Sequence, residues 1–103
     1  MLSTNLLVLD GVVLKTPKRT QSPAGTPHCH FVLEHQSQQL EADLHRSAFV
    51  RIQVVISGRE SQQFAHELFQ GNVIRVSGFL SRHESRDGNG KLVLHARSIE
   101  RIS

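Results

Sequence analysis

"HRSAFVRIQVVISG" (residues 45–58) decides how the rest of the chain is read. Ala48, Val50, Ile52, Val54 and Ile56 alternate with His45, Ser47, Phe49, Arg51 and Gln53. A period of two marks a half-buried β-strand, because successive side chains leave opposite faces. The aliphatic face belongs to a core. The other face is polar except at Phe49. The chain has five Phe and no Trp or Tyr, so an aromatic ring set among His45, Arg46 and Arg51 needs a reason. Three are open: partial burial, contact with a second copy, or a flat platform for a stacked ligand.

The flanking segments keep this period or break it. "HCHFVLEHQS" (28–37) puts Cys29, Phe31 and Leu33 on one face and His28, His30, Val32 and Glu34 on the other, a second half-buried strand. "QQLEAD" (38–43) reads as a polar connection. Upstream, "NLLVLDGVVLK" (5–15) is apolar on both faces. A strand in a tightly curved sheet, or one covered by a second subunit, has that pattern. Its Gly11 predicts a bulge or bend. "TPKRTQSPAGTP" (16–27) holds all three prolines and reads as a loop. Downstream, "ESQQFAHELFQG" (60–71) changes period. Phe64, Ala65 and Leu68 share a helical face, with Ser61 as N-cap and Gly71 as stop. "NVIRVSGFLS" (72–81) returns to alternation, with a second bend at Gly78. "RHESRDGNG" (82–90) carries Asp-Gly and Asn-Gly, both hairpin signals. "KLVLHARSIERI" (91–102) is the closing strand.

The order β-β-β-α-β-β predicts an all-β fold: one five-stranded OB-fold barrel over residues 1–103, with a short helix between its third and fourth strands. Such barrels bind oligonucleotides or oligosaccharides across strands two and three and the adjoining loops. Phe49 then lies on the ligand face. Arg46 and Arg51 flank it, His28 and His30 lie on the neighbouring strand, and the hairpin adds Arg82, His83, Arg86 and Lys91. Cations there hold phosphates without reading sequence. The plainer reading of each hairpin charge is a solvated group that keeps a sheet edge unpaired, and Glu84 and Asp87 weaken the field.

Composition sets the limits. The formal charge of +3 is compatible with a polyanionic partner but does not demand one. Cys29 is the sole cysteine, so no intrachain disulfide forms, and the expected compartment is the reducing cytoplasm. The apolar run 6–14 is broken by Asp10 and Gly11 and is too short for a bilayer, so no membrane is expected. In a strand Cys29 points away from His28 and His30, and no metal-binding spacing occurs elsewhere, so neither metal nor cofactor is expected. Without a nucleophile elbow or a phosphate loop, the chain is expected to be no enzyme. A sugar site is disfavoured by the lack of Trp and Tyr.

"SPAGTPHCHFVLEH" (22–35), "HRSAF" (45–49), "VVISG" (54–58), "GFLSRH" (78–83) and "KLVLHARSIE" (91–100) resemble the primosomal replication protein N family, over nearly the whole chain. The resemblance implies an OB-fold homodimer that binds single-stranded DNA without sequence readout. It implies service in the bacterial restart primosome, with the restart helicase (primosomal protein N′) and a further primosomal protein as partners. The major single-strand-binding protein is a further candidate partner; its long acidic-tipped tail is not expected here, where the sequence closes at Ile102 and Ser103. Carried over by position, Phe49 stands where some members have Trp, and Leu44 where some have Phe. Arg46 matches a family arginine, Arg86 and Lys91 match lysines, and Glu84 replaces a third lysine. The resulting DNA-binding set is Phe49, Arg46, Arg51, Arg86, Lys91, Arg82, His30 and Leu44. The alternative is a protein adaptor for the helicase that binds DNA weakly.

Overall fold

The computed structural model describes residues 1–103 except Glu60, Ser61, Phe64 and Ala65. Its strands are β1 (Leu7–Val13), β2 (Lys18–Gln21), β3 (Pro27–Glu41), β4 (Leu44–Ser57), β5 (Val73–Glu84) and β6 (Gly90–Arg101). The hydrogen-bonded order is β1-β5-β6-β4-β3-β2, and a β1–β3 pairing at Val12 with Glu34 and Val13 with Leu33 closes the barrel. β4 and β6 run parallel; the other pairs are antiparallel. The closed part is therefore the expected five-stranded OB-type barrel.

The core follows from the alternation. Cys29, Phe31 and Leu33 of β3 meet Val54 and Ile56 of β4, Ile74 and Val76 of β5, and Leu94 and Ile99 of β6. Full burial of a Leu or Ile side chain stabilises by about 1.5–3 kcal/mol, so this interior holds the sheet curled. Among the described residues no charged or polar side chain is buried in it.

Several expectations need correcting. Lys18–Gln21 is a strand, not loop. All four of its residues are exposed, so no burial pattern betrays it; its ladder to Pro27–His30 sets it on the edge of β3. Residues 38–41 are not a connection either: β3 runs on to Glu41 and pairs with β4 down to Glu41–Leu44, leaving a two-residue turn of Ala42 and Asp43. Gly11 makes no bulge, for β1 pairs continuously with β5 through it. It is needed because β3 crosses here; an added Cβ would sit 2.6 Å from the Glu34 carbonyl oxygen and 2.8 Å from the Leu33 side chain. Gly78 does sit at a bulge, where the register shifts by one residue and Arg97 of β6 is left unpaired. That extra residue lets both Ala96 and Ile99 face inward.

Between β4 and β5 the described residues Arg59, Gln62 and Gln63 are helical, though no helix can be bounded there. The expected one between the third and fourth barrel strands falls on a stretch whose Glu60, Ser61, Phe64 and Ala65 lie outside the described residues. Nearby, the His66 N–H donates to the Gln62 carbonyl at 3.2 Å, one helical turn, and Leu68 is buried in the core. Among the described residues, no helix is long and apolar enough to cross a membrane.

Candidate nucleic-acid interface

With Val54 and Ile56 turned inward, the odd-numbered side chains of β4 lie on the outer face. Registration aligns them with even-numbered residues of β3: Gln36 opposite Phe49, Glu34 opposite Arg51, Val32 opposite Gln53, His30 opposite Val55 and His28 opposite Ser57. On the other side, Gln53 and Val55 pair with Val93 and His95 of β6. One continuous face thus runs across β3, β4, β6 and β5.

Phe49 stands at one end of it, 56% exposed. The Arg51 guanidinium lies 5.7 Å from its ring centroid, and Arg51 also donates from Nη2 to Glu34 Oε2 at 2.6 Å. A ring braced by a guanidinium presents one flat surface to solvent. Farther along, a depression of about 570 Å³ has Arg51, Gln53 and Lys91 on its walls, which brings Lys91 of β6 alongside Arg51 of β4.

Beyond Gln53 the face deepens into a pocket of about 310 Å³. Val55 and Val93 are its floor, each 7% exposed. His28 and His30 wall one side, His83 and His95 the other. His28 Nδ1 shares a hydrogen bond with Ser57 Oγ at 2.7 Å, and His30 Nε2 one with Thr20 Oγ1 of β2 at 3.1 Å. His83 and His95 meet Nε2 to Nε2 at 2.9 Å. The His95 ring also stacks on Phe79, with centroids 4.8 Å apart and planes within 3°, and Arg97 caps the far side of Phe79 at 5.1 Å. Burial pushes the His95 imidazole pKa down and the charge of His83 adds to it; burial and then His28 do the same to His30.

The face thus gathers Phe49, Arg51, Lys91 and His30. The other candidates lie elsewhere. Alternation puts Leu44 and Arg46 on the opposite face of the β3–β4 hairpin, where Arg46 Nε is 2.8 Å from Glu41 Oε1. Arg82 alternates away from His83, and its Nη2 lies 3.2 Å from Glu84 Oε1. Arg86 is exposed in the turn between β5 and β6, which is shaped by Ser85 N–H donating to the Asn89 carbonyl at 3.0 Å. Sequence reasoning missed Phe79, His95 and Arg97. The signal for the first two was present: Phe79 and His83 on one strand, Val93 and His95 on the next, keep the outward phase of a period of two.

Known proteins share the family and the fold. A family described as another single-strand-binding protein family matches residues 5–98. The chain is 51% identical over 102 residues to the replication restart protein PriB of Yersinia pestis, covering 99% of this chain and 96% of that one. A solved PriB structure from Ralstonia solanacearum is similar in fold at a TM-score of 0.81 and 23% identity, over 98% of this chain and 100% of that one. The Plasmodium falciparum single-strand-binding protein in complex with single-stranded DNA superposes at a TM-score of 0.79 and 16% identity, over 100% and 98% of the two chains. Spanning nearly the whole of its restart relative and matching a single-strand-binding family along the same residues, this chain belongs to the PriB family, that of primosomal replication protein N.

Proposed function

We propose that the chain is a non-catalytic accessory protein of replication restart that binds single-stranded DNA on its outer face without sequence readout. The observation that carries this reading is the placement of Phe49, Arg51 and Lys91 on one open face of the barrel. An exposed ring gives an unpaired base a stacking surface, and the neighbouring cations take the phosphates. His30 lies farther along the same path, and Arg86 reaches backbone from the exposed turn of the hairpin. Arg46, Arg82 and Leu44 then serve only DNA that wraps over the hairpin edges.

The working unit in this reading is a cytoplasmic homodimer. Val8 and Val12 of β1 point outward, 51% and 39% exposed, and Leu6 just before them is 68% exposed. Such an apolar strip beside a partly free strand edge suits a second copy. The protein partners are the restart helicase, whose hold on DNA it stabilises, and a later primosomal protein that it recruits, with the major single-strand-binding protein a further one.

A second reading, a helicase adaptor with weak DNA binding, is favoured by the state of the cations. Arg46, Arg51 and Arg82 each already face a carboxylate, which lowers the field available to DNA. Titrating labelled deoxythymidine oligonucleotides of increasing length separates the two. A DNA groove gives length-dependent binding by the protein alone. Feeble binding at every length, with firm retention of the helicase, selects the adaptor.

A further inference from the structure

The arginines of the molecule are largely committed. Arg51 holds Glu34, Arg75 holds Asp10, Arg46 holds Glu41 and Arg82 holds Glu84. The histidine pocket differs: four imidazoles converge on it and no carboxylate lines it. Their partners are hydroxyls, Ser57 for His28 and Thr20 for His30, or another imidazole, His83 for His95. Two imidazoles that meet through their Nε2 atoms share one proton there, and only one of the two rings can be charged without their parting. Cations register beside this cluster: Lys18 of β2 pairs across from His30, Lys91 of β6 across from His83, and Arg97 lies over Phe79, while Glu84, next to His83 in the chain, is held by Arg82. Walls of basic rings, a hydroxyl and an amide from Ser57 and Gln53, and no anion of its own make this a site for an oxyanion.

We propose that the pocket between His28 and His30 on one side and His83 and His95 on the other binds a phosphate of single-stranded DNA, and that filling it takes up protons. This rests on the DNA reading above and gives that groove a centre distinct from Phe49. The ligand is a phosphodiester oxyanion, set by Ser57 and Gln53 and by imidazolium N–H groups. As the phosphate enters, the His83–His95 pair opens. A proton from water then lets both rings donate to phosphate oxygens, and no covalent bond is made or broken. The sign follows. In the free protein burial and mutual repulsion keep His30 and His95 neutral at ordinary pH. A bound anion raises both, so affinity increases as pH falls.

Two measurements on the full chain test this. Anisotropy of a labelled deoxythymidine oligonucleotide at fixed ionic strength is expected to show binding about tenfold tighter near pH 6 than near pH 8. In the doubly substituted His83→Gln, His95→Gln protein that difference is expected to shrink to within about twofold. The second follows the imidazole Cε1–H signals by NMR while inorganic phosphate is added. The His83 and His95 signals are expected to shift, and His95 to titrate at higher pH; a thermal melt confirms that the variant is folded. Equal pH dependence in parent and variant, with imidazole signals that ignore phosphate, overturns the site while leaving DNA binding by the face intact. Imidazoles that respond to phosphate in a protein that binds no DNA at any pH keep the oxyanion site and overturn the DNA reading.

Discussion

Phe49 gives up burial to stand in solvent, and Arg51 beside it is shared between the ring and Glu34. The exposed ring forgoes burial, while the two contacts of Arg51 each stabilise it modestly. Replacing Phe49 by Ala is expected to weaken single-stranded DNA binding by about 1–3 kcal/mol, read by anisotropy, with the melting temperature nearly unchanged. Unaltered affinity would place the stacked base elsewhere. Glu34 holds Arg51 through an exposed pair, so Glu34→Gln is expected to tighten DNA binding by roughly 0.5–1 kcal/mol, more at low salt. Weaker binding in that variant would show that Glu34 positions Arg51 rather than restrains it. Gly78 is a different kind of residue. Any Cβ there would collide with the His95 carbonyl on β6. Gly78→Ala is expected to destabilise the fold by about 2–4 kcal/mol in urea titration, because backbone rather than a flexible side chain must move.

At the scale of elements, the β3–β4 hairpin carries the Phe49 end of the groove. Its Ala42-Asp43 turn has φ values of 50° and 62°, the left-handed region at both positions. This is the geometry of a type I′ turn, which suits Asn-Gly and strains Ala-Asp. Replacing the pair by Asn-Gly is expected to raise stability by about 1 kcal/mol without altering DNA affinity, and no gain in the urea midpoint would contradict the turn assignment. The same hairpin shows why its length was illegible in the sequence. Residues 38–43 carry a single large apolar residue, the exposed Leu40, and their turn pairs Asp43 with Ala42 rather than with Gly, so neither alternation nor turn chemistry marked them as a hairpin. β4, by contrast, was read correctly from end to end because one face is core. β2 left no trace, since a short strand with every residue exposed has no apolar alternation. The site divided likewise. Phe49, Arg51 and Lys91 were visible through alternation, whereas grouping Arg46 and Leu44 with them came from nearness in sequence, which a strand does not convert into a shared face. The joining of His83 to His95 depends on the lean of two strands beside a bulge.

For the whole molecule, Val8 and Val12 of β1, with Leu6 before them, form one exposed apolar strip on the outside of the closed barrel. Val8→Lys is expected to halve the mass measured by light scattering, from dimer to single chain, while the fold persists. A parent protein that is already monomeric would remove this assignment. Register brings that strip close to the Phe49 face, for Val12 pairs with Glu34 and Glu34 with Arg51. The most direct test of the account is the salt dependence of binding to a labelled deoxythymidine oligonucleotide by the parent protein alone. If Arg51, Lys91 and Arg86 meet phosphates, affinity is expected to fall with log salt at a slope of about −2 or steeper. Binding that is feeble at low salt, or a slope near zero, would contradict a DNA groove on this face and leave the helicase-adaptor reading in its place.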